Sequence, residues 1–345
     1  MNRNFWKQLA IGFALFVLGF LTVGQSFAQN LEKQKVSIAV GGKNLFYYLP
    51  LTIAEQLGYF KDEGLQVEIS DFAGGSKALQ ALIGGSADVV SGAYEHTINM
   101  QAKGQPIKAF VLQGRAPQIV LGVSTKTMPH FKSVADLKGK KIGVTAPGSS
   151  TNMMADFVLD KAGLKPSDVS FIGVGASAGA LSAIRSGQID AIANLDPVIT
   201  MLEQDKAIKV VVDTRTLKDT QEVFGGPMPA GTLYTTDAFL KKYPHTAQAL
   251  TNAMVRALKW LQTAGPADIV KVVPENYLLG DSALYIKAFM KVRQAISPDG
   301  VFPENGPETA LHALTTFEPA LASKHIDLSQ TYTNEFANRA NEKYK

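Results

Sequence analysis

Short apolar runs punctuate the first two thirds of the chain, and stretches with apolar residues three and four apart fill the intervals. KVSIAV from Lys35 and QVEIS around Val67 read as strands, with a helix between them that opens at Pro50 and closes at Gly58. Residues 74–95, GGSKALQALIGGSADVVSGAYE, read as a glycine and serine entry, a helix with a small apolar face, a glycine stop and a buried strand that starts at Asp88. This stretch recurs. Ala78, Leu79, Ala81, Leu82, Gly85 and Asp88 match Ala180, Leu181, Ala183, Ile184, Gly187 and Asp190 at a constant offset of 102 residues. The match extends backwards, from 38–40 to 142–144 and from Val67 to Val169. Both halves therefore read strand, helix, strand, helix, strand, which predicts α/β lobes of parallel units whose ligands sit beyond the carboxyl ends of the strands. Two such lobes facing one another enclose a cleft, with Gly92 and Tyr94 of one copy at the places of Asn194 and Asp196 in the other.

The remaining pattern joins the lobes. IKAFVLQ at 107–113 is a strand followed by Gly114-Arg115-Ala116-Pro117, and QIVLGVS at 118–124 is expected to leave the first lobe. KIGVT at 141–145 opens the second lobe, and KVVVDT at 209–214 is its last strand. After the turn-rich 224–229, AGTLYTT at 230–236 is the return crossing. Beyond Asp237 the pattern becomes helical, as in the amphipathic run 245–263, and this tail is assigned to the first lobe by elimination.

The first residues change the picture of where such a fold works. Arg3 and Lys7, a 15-residue apolar run from Leu9 to Val23, and Ser26-Phe27-Ala28 predict a secretory signal peptide at 1–28, cleaved after Ala28. The apolar run is shorter than the ~20 residues of a spanning helix. The remaining 317 residues exceed the size at which one core keeps growing, so two domains are expected. Losing Arg3 and Lys7 takes the formal charge from +4 to +2, and no basic stripe interleaves with aromatics, which argues against nucleic acid as a partner. The chain has no cysteine, which excludes disulfides, thiolate nucleophiles, Cys-ligated metals and a lipid-modified cysteine anchor. An exported, unanchored chain without disulfides fits the periplasm of a two-membrane bacterium.

Recognition chemistry gathers at the strand ends. Gly75 and Ser76 open one repeated helix, and Ser149, Ser150 and Thr151 open another directly after a strand. Unpaired N–H groups and hydroxyls at helix starts suit an oxyanion, and one hydroxyl at each place serves as the cap. Phe46, Tyr47 and Tyr48 stand at the cleft mouth, at least one of them packing under the following helix. A carboxylate from Glu95 or Asp196 in the pocket would repel a pure anion and pair with an ammonium, while Asp196 reads equally as a cap ahead of Pro197. The five histidines, His96, His130, His245, His312 and His325, lack metal-ligand spacing, and neither a nucleophile elbow nor a phosphate loop occurs. No catalytic residue, metal or cofactor is expected, and His96 reads as a core or helix-surface residue.

Taken together, FYYLPLTIAEQLGYFKDEGLQVEI, GGSKALQALIGGSADVVSGAYE, DLKGKKIGVTAPGSST and SGQIDAIANLDP, behind a signal peptide, resemble the periplasmic ligand-binding proteins of ABC importers, in the family for nitrate, taurine, aliphatic sulfonates and thiamine precursors. The resemblance implies a type II periplasmic-binding-protein fold, with two α/β lobes joined by two crossing strands. Lobe I would hold 29–124 and 229–345 and lobe II 125–228, with hinges at 118–124 and 229–235. It implies a site formed by Asn44, Phe46, Gly75, Ser76, Tyr94, Ser149, Ser150, Thr151, Asn194 and Asp196. It also implies a monomer that captures a small anionic organic solute, a sulfonate, carboxylate or relative, and delivers it to an inner-membrane permease with its ATPase. Members often carry an aromatic and a glutamate before the proline, where Leu195-Asp196-Pro197 stands here. A sulfonate or taurine ligand therefore does not carry over by name, and Phe46, Tyr47, Tyr94 and Phe224 suit an aromatic carboxylate. The alternatives are an enzyme on the same fold, of the thiamine-pyrimidine synthase or cofactor-free lyase kind, and a sensor module.

Overall fold

The computed structural model describes residues 31–345, so the signal peptide expected at 1–28 lies outside the described residues. Ten strands run in chain order as β1 (Lys35–Val40), β2 (Gln66–Asp71), β3 (Val89–Ala93), β4 (Ile107–Leu112), β5 (Val120–Ser124), β6 (Lys141–Val144), β7 (Ser170–Gly173), β8 (Ala191–Asn194), β9 (Ile208–Asp213) and β10 (Gly231–Thr236). They form two five-stranded sheets, in the orders β2-β1-β3-β10-β4 and β7-β6-β8-β5-β9. The sheets correspond place for place. β1 lies parallel to β2 and β3, as β6 does to β7 and β8. The fourth strand in each, β10 or β5, is antiparallel and arrives directly after a crossing from the other sheet.

The repeat uses the same physical devices twice. Asp88 accepts from Ser37 N–H at 2.9 Å and Asp190 from Lys141 N–H at 3.0 Å, so the carboxylate ahead of β3 or β8 pins the start of the parallel neighbour. Gly85 and Gly187 turn the chain after the helices Gly75–Ile83 and Ala178–Ser186 with φ of +74° and +84°, a left-handed conformation that strains any residue with a Cβ. Ala78, Ala81 and Leu82 in one helix, and Ala180, Leu181, Ala183 and Ile184 in the other, form the buried faces. A buried leucine-sized side chain contributes about 1.5–3 kcal/mol, so these stripes fix which face each helix presents.

One expected boundary is corrected. The sequence reading placed 120–124 in lobe I, but β5 exchanges backbone hydrogen bonds with β8 and β9 and is an interior strand of the second sheet. β10 is likewise paired on both sides, with β3 and β4. A strand laddered on both sides cannot absorb a hinge rotation, so of the expected hinges 118–124 and 229–235 the stretches 120–124 and 231–235 are excluded. The passages between the sheets are 113–119 and 225–230; they are tied to each other at the first-sheet end, and the first is also tied to the end of β9. Gln113 and Gly114 N–H donate to Gly231 O at 2.6 and 3.0 Å, and Gln118 N–H donates to Thr214 O at 3.0 Å.

The helical tail also differs from expectation. The helix Pro244–Thr263 packs on Leu49–Gln56 of the first lobe, and Thr333 N–H donates to Ala109 O at the β4 edge. Gly306–Phe317, however, lies against Ser150–Lys161, whose strands belong to the second sheet. The tail therefore spans the seam between lobes and is not confined to the first.

Candidate functional site

The carboxyl ends of the two sheets meet at this seam. β1 runs so close to the helix Gly75–Ile83 that a Cβ at Gly41 would stand 2.2 Å from Gly75 N. The same helix start meets the start of Ser150–Lys161 from the other lobe. Ser76 N–H donates to Ser149 Oγ (3.0 Å), Ser149 Oγ to Ser76 Oγ (3.2 Å), and Ser76 Oγ to Pro147 O (2.8 Å). Asn44 Nδ2 donates to Ala176 O (2.9 Å), and Phe46 N–H to Asp196 O (3.2 Å). Gly75, Ser76 and Ser149 thus come together, Asn44 crosses the seam separately to Ala176, and Ser150, next to Ser149 in the chain, lines a space between the lobes.

The other expected site residues have local roles. The Phe46 ring packs on Tyr285 and Phe289, with centroids 4.6 and 6.0 Å apart, and only its N–H faces the seam. Tyr94 takes helical backbone ahead of Glu95–Ala102, which swings its side chain into the tail, where its hydroxyl lies 2.6 Å from Thr331 Oγ1. Thr151 Oγ1 accepts from Thr145 N–H at 3.0 Å, and Asn194 Nδ2 donates to Gly175 O at 3.0 Å, so both tie loops of the second lobe.

Asp196 accepts from Thr200 N–H (2.8 Å) and Thr200 Oγ1 (2.7 Å) and lies 3.4 Å from Arg215 Nη1. Capping and an ion pair therefore occupy the carboxylate that could have faced a ligand. Arg215, whose side chain is 0% exposed, is also held by Glu203 and Asp213, each at 2.7 Å. Lys291 reaches Asp213 at 3.1 Å from the tail helix Ser282–Val292. Burial pushes the Asp196 carboxyl up despite Arg215 and Thr200, whereas for Asp213 the Arg215 hydrogen bonds outweigh a partial burial and hold it below its ordinary range. Sequence reasoning missed Arg215, because Asp196, Glu203 and Asp213 become its partners only once the second sheet is folded.

A gap of about 20 Å³ remains between the lobes, walled by Met153, Met154, Phe157, Phe224, Leu314 and Phe317 and headed by Glu95. Glu95 is 5% exposed, and its Oε2 has no hydrogen-bond partner among the described residues. Burial pushes this carboxyl up to about 7. The neighbouring Tyr47 hydroxyl is also unpartnered among the described residues. His96 places Nδ1 3.1 Å from the Tyr234 hydroxyl and Nε2 3.3 Å from Gly148 O across the seam, and burial pulls it down to about 4, so it is neutral at pH 7. A wider depression of about 670 Å³ lies at the amino ends of β1 and β2. It is the wrong end of the strands for a ligand, and Lys33 and Asp88 there pair with each other at 2.5 Å.

Residues 45–266 match the family model described as NMT1/THI5 like. A protein of Bordetella bronchiseptica RB50 with a solved structure is 65% identical, with a TM-score of 0.90 over 92% of this chain and 99% of that one. The alkanesulfonate-binding protein SsuA from Xanthomonas axonopodis pv. citri, solved bound to MOPS, is 20% identical with a TM-score of 0.66, over 88% of this chain and 99% of its own. That likeness shows a shared fold, the two-lobed periplasmic-binding-protein architecture expected from the sequence. "Putative binding protein YtlA" of Bacillus subtilis (strain 168) is 27% identical over 98% of both chains. Shorter matches include a 4-amino-5-hydroxymethyl-2-methylpyrimidine phosphate synthase, over 46% of this chain.

Proposed function

Because this chain belongs to the NMT1/THI5 like family and has the fold of periplasmic binding proteins, we propose that it is an extracytoplasmic solute receptor that serves an ABC importer. The seam carries this reading. Ser76 N–H, Ser76 Oγ, Ser149 Oγ and Asn44 Nδ2 are donors that hold the lobes together by bonding across it, and all lose partners when the lobes part. An acid group of a small organic solute takes over donors at the two helix starts, and closure about 113–119 and 225–230 then buries it. Among the described residues no helix is long and apolar enough to cross a membrane. The loaded receptor, acting as a monomer in the periplasm, hands its solute to an inner-membrane permease driven by an ATPase.

An enzyme on the same fold has less support, since both ring nitrogens of His96 face Tyr234 and Gly148 rather than the carboxylates of Glu95 or Asp196. Thermal unfolding with a panel of carboxylates, sulfonates and amino acids tests the receptor reading. A solute present at 100 times its Kd raises stability by about 2.7 kcal/mol, and a melting temperature unmoved by every member contradicts it.

A further inference from the structure

Resting on the receptor reading, we infer that the solute carries, beside its acid group, a protonated nitrogen on an apolar, aromatic body, and that Glu95 is the residue that selects it. Glu95 is the one charged group among the described residues that line the gap. It is almost fully buried and aims an unpartnered oxygen into a space otherwise walled by rings, thioethers and aliphatic groups. A buried carboxylate in such a place is costly until a cation or strong donor reaches it.

Nothing on the surrounding elements supplies that charge. Tyr47, Tyr48, Tyr94 and Tyr234 are the titratable groups that feel Glu95, and their hydroxyls stay protonated because burial raises each of them. Ser150 faces the gap from the second lobe, Ala313, Leu314 and Phe317 from the tail, and His96 is neutral and turned to Tyr234 and Gly148. Two more carboxyls lie beside the gap, and Lys161 Nζ, 4.5 Å from the Phe157 ring centroid, donates to Val223 O. Burial pushes up both Asp156, next to the lining residue Phe157, and Glu318, next to Phe317 in the tail, and the Glu318 charge adds to the rise of Asp156 to about 7. Lys103 lies near Glu318 and does not line the gap. Phe157 and Phe224, with centroids 4.8 Å apart, together with Phe317, Met153 and Met154, offer ring faces and polarizable sulfur, surfaces that favour an aromatic body and tolerate a cation.

Calorimetric titration with 2-phenylethylamine, phenylalanine, 3-phenylpropionate and 2-phenylethanol tests this, using the wild type and E95Q at pH 5.5 and pH 8. Phenylalanine is expected to bind the wild type at least about tenfold tighter than 3-phenylpropionate, and 2-phenylethylamine at least about tenfold tighter than 2-phenylethanol, a modest return for a buried charge pair. The preference disappears in E95Q. For the wild type, amine affinity rises from pH 5.5 to pH 8 as Glu95 loses its proton, and the same rise in D156N separates it from Asp156, which titrates in the same range, so this readout stands even if E95Q folds poorly. A preference that survives in E95Q, a flat pH profile, tighter binding of the amine-free probes, or no binding by any of the four overturns the inference. If the inference fails while a nitrogen-free acid from the wider panel still binds, the receptor reading stands; if no solute from either set binds, both fall.

Discussion

Arg215→Met is expected to lower the stability of the fold by about 3–5 kcal/mol, because it leaves Asp196, 1% exposed, as a buried carboxylate without its counter-ion. The loss has a pH signature. Asp213 is held below its ordinary range by Arg215, so its contribution is complete above the usual carboxylate pKa and fades as pH falls through the lowered folded value. Asp196 is already raised by burial, and without Arg215 it rises further, so its ionised form destabilises the variant as pH climbs and its protonated form does not. The gap between wild type and variant is therefore widest near pH 7 and narrows in acid. Denaturant unfolding at pH 4.5 and pH 7 measures both, and a difference of equal size at the two pH values contradicts this account of the cluster. Affinity for solute should change far less than stability, since the Asp196 carboxylate points at Thr200 and Arg215.

Gly74→Val gives the opposite pattern, with binding lost and each lobe kept. Gly74 has extended backbone that any residue adopts, but a Cβ there would lie 2.8 Å from Ala146 Cβ and 2.9 Å from Ala146 N across the seam. Backbone cannot move aside cheaply at that distance, so the lobes must part to admit the side chain. If the closed state falls to one molecule in a hundred, apparent affinity falls about 100-fold with no contact to the solute removed. Titration of the variant beside its thermal unfolding checks this. Wild-type affinity would show that the two helix starts need not touch for binding.

Much of the architecture could be read from the chain because it is written twice. Asp88 and Asp190, Gly85 and Gly187, and the two small apolar helix faces are local signals, and together they implied two sheets with their carboxyl ends facing. The crossing strands could not be placed the same way. Val120–Ser124 is apolar up to its last residue, and only its hydrogen bonds with β8 and β9 assign it to the second sheet. The site was less legible. Residue type singled out Ser76, Ser149 and Asn44, whose polar groups bond across the seam, whereas the Tyr94 ring is turned toward Thr331 and Phe302 because the helix begins one residue later. Leu314 and Phe317 enter the gap from a helix more than a hundred residues beyond the repeat, and nothing in their spacing indicates that they cross to the second lobe. Glu95 stood out in sequence only as a complication for an anion. Its weight comes from burial, which a sequence does not display.

The central claim is that two lobes open and close at this seam around a solute, and the absence of native cysteine permits a direct test. Gln80→Cys and Ser182→Cys place one spin label on an exposed position of each repeated helix, one in each lobe. Pulsed electron–electron distance measurement should find long and short populations in the free protein, collapsing to the short one with saturating solute and remaining long in Gly74→Val. A single distance distribution that neither a bound solute nor Gly74→Val alters would contradict the account.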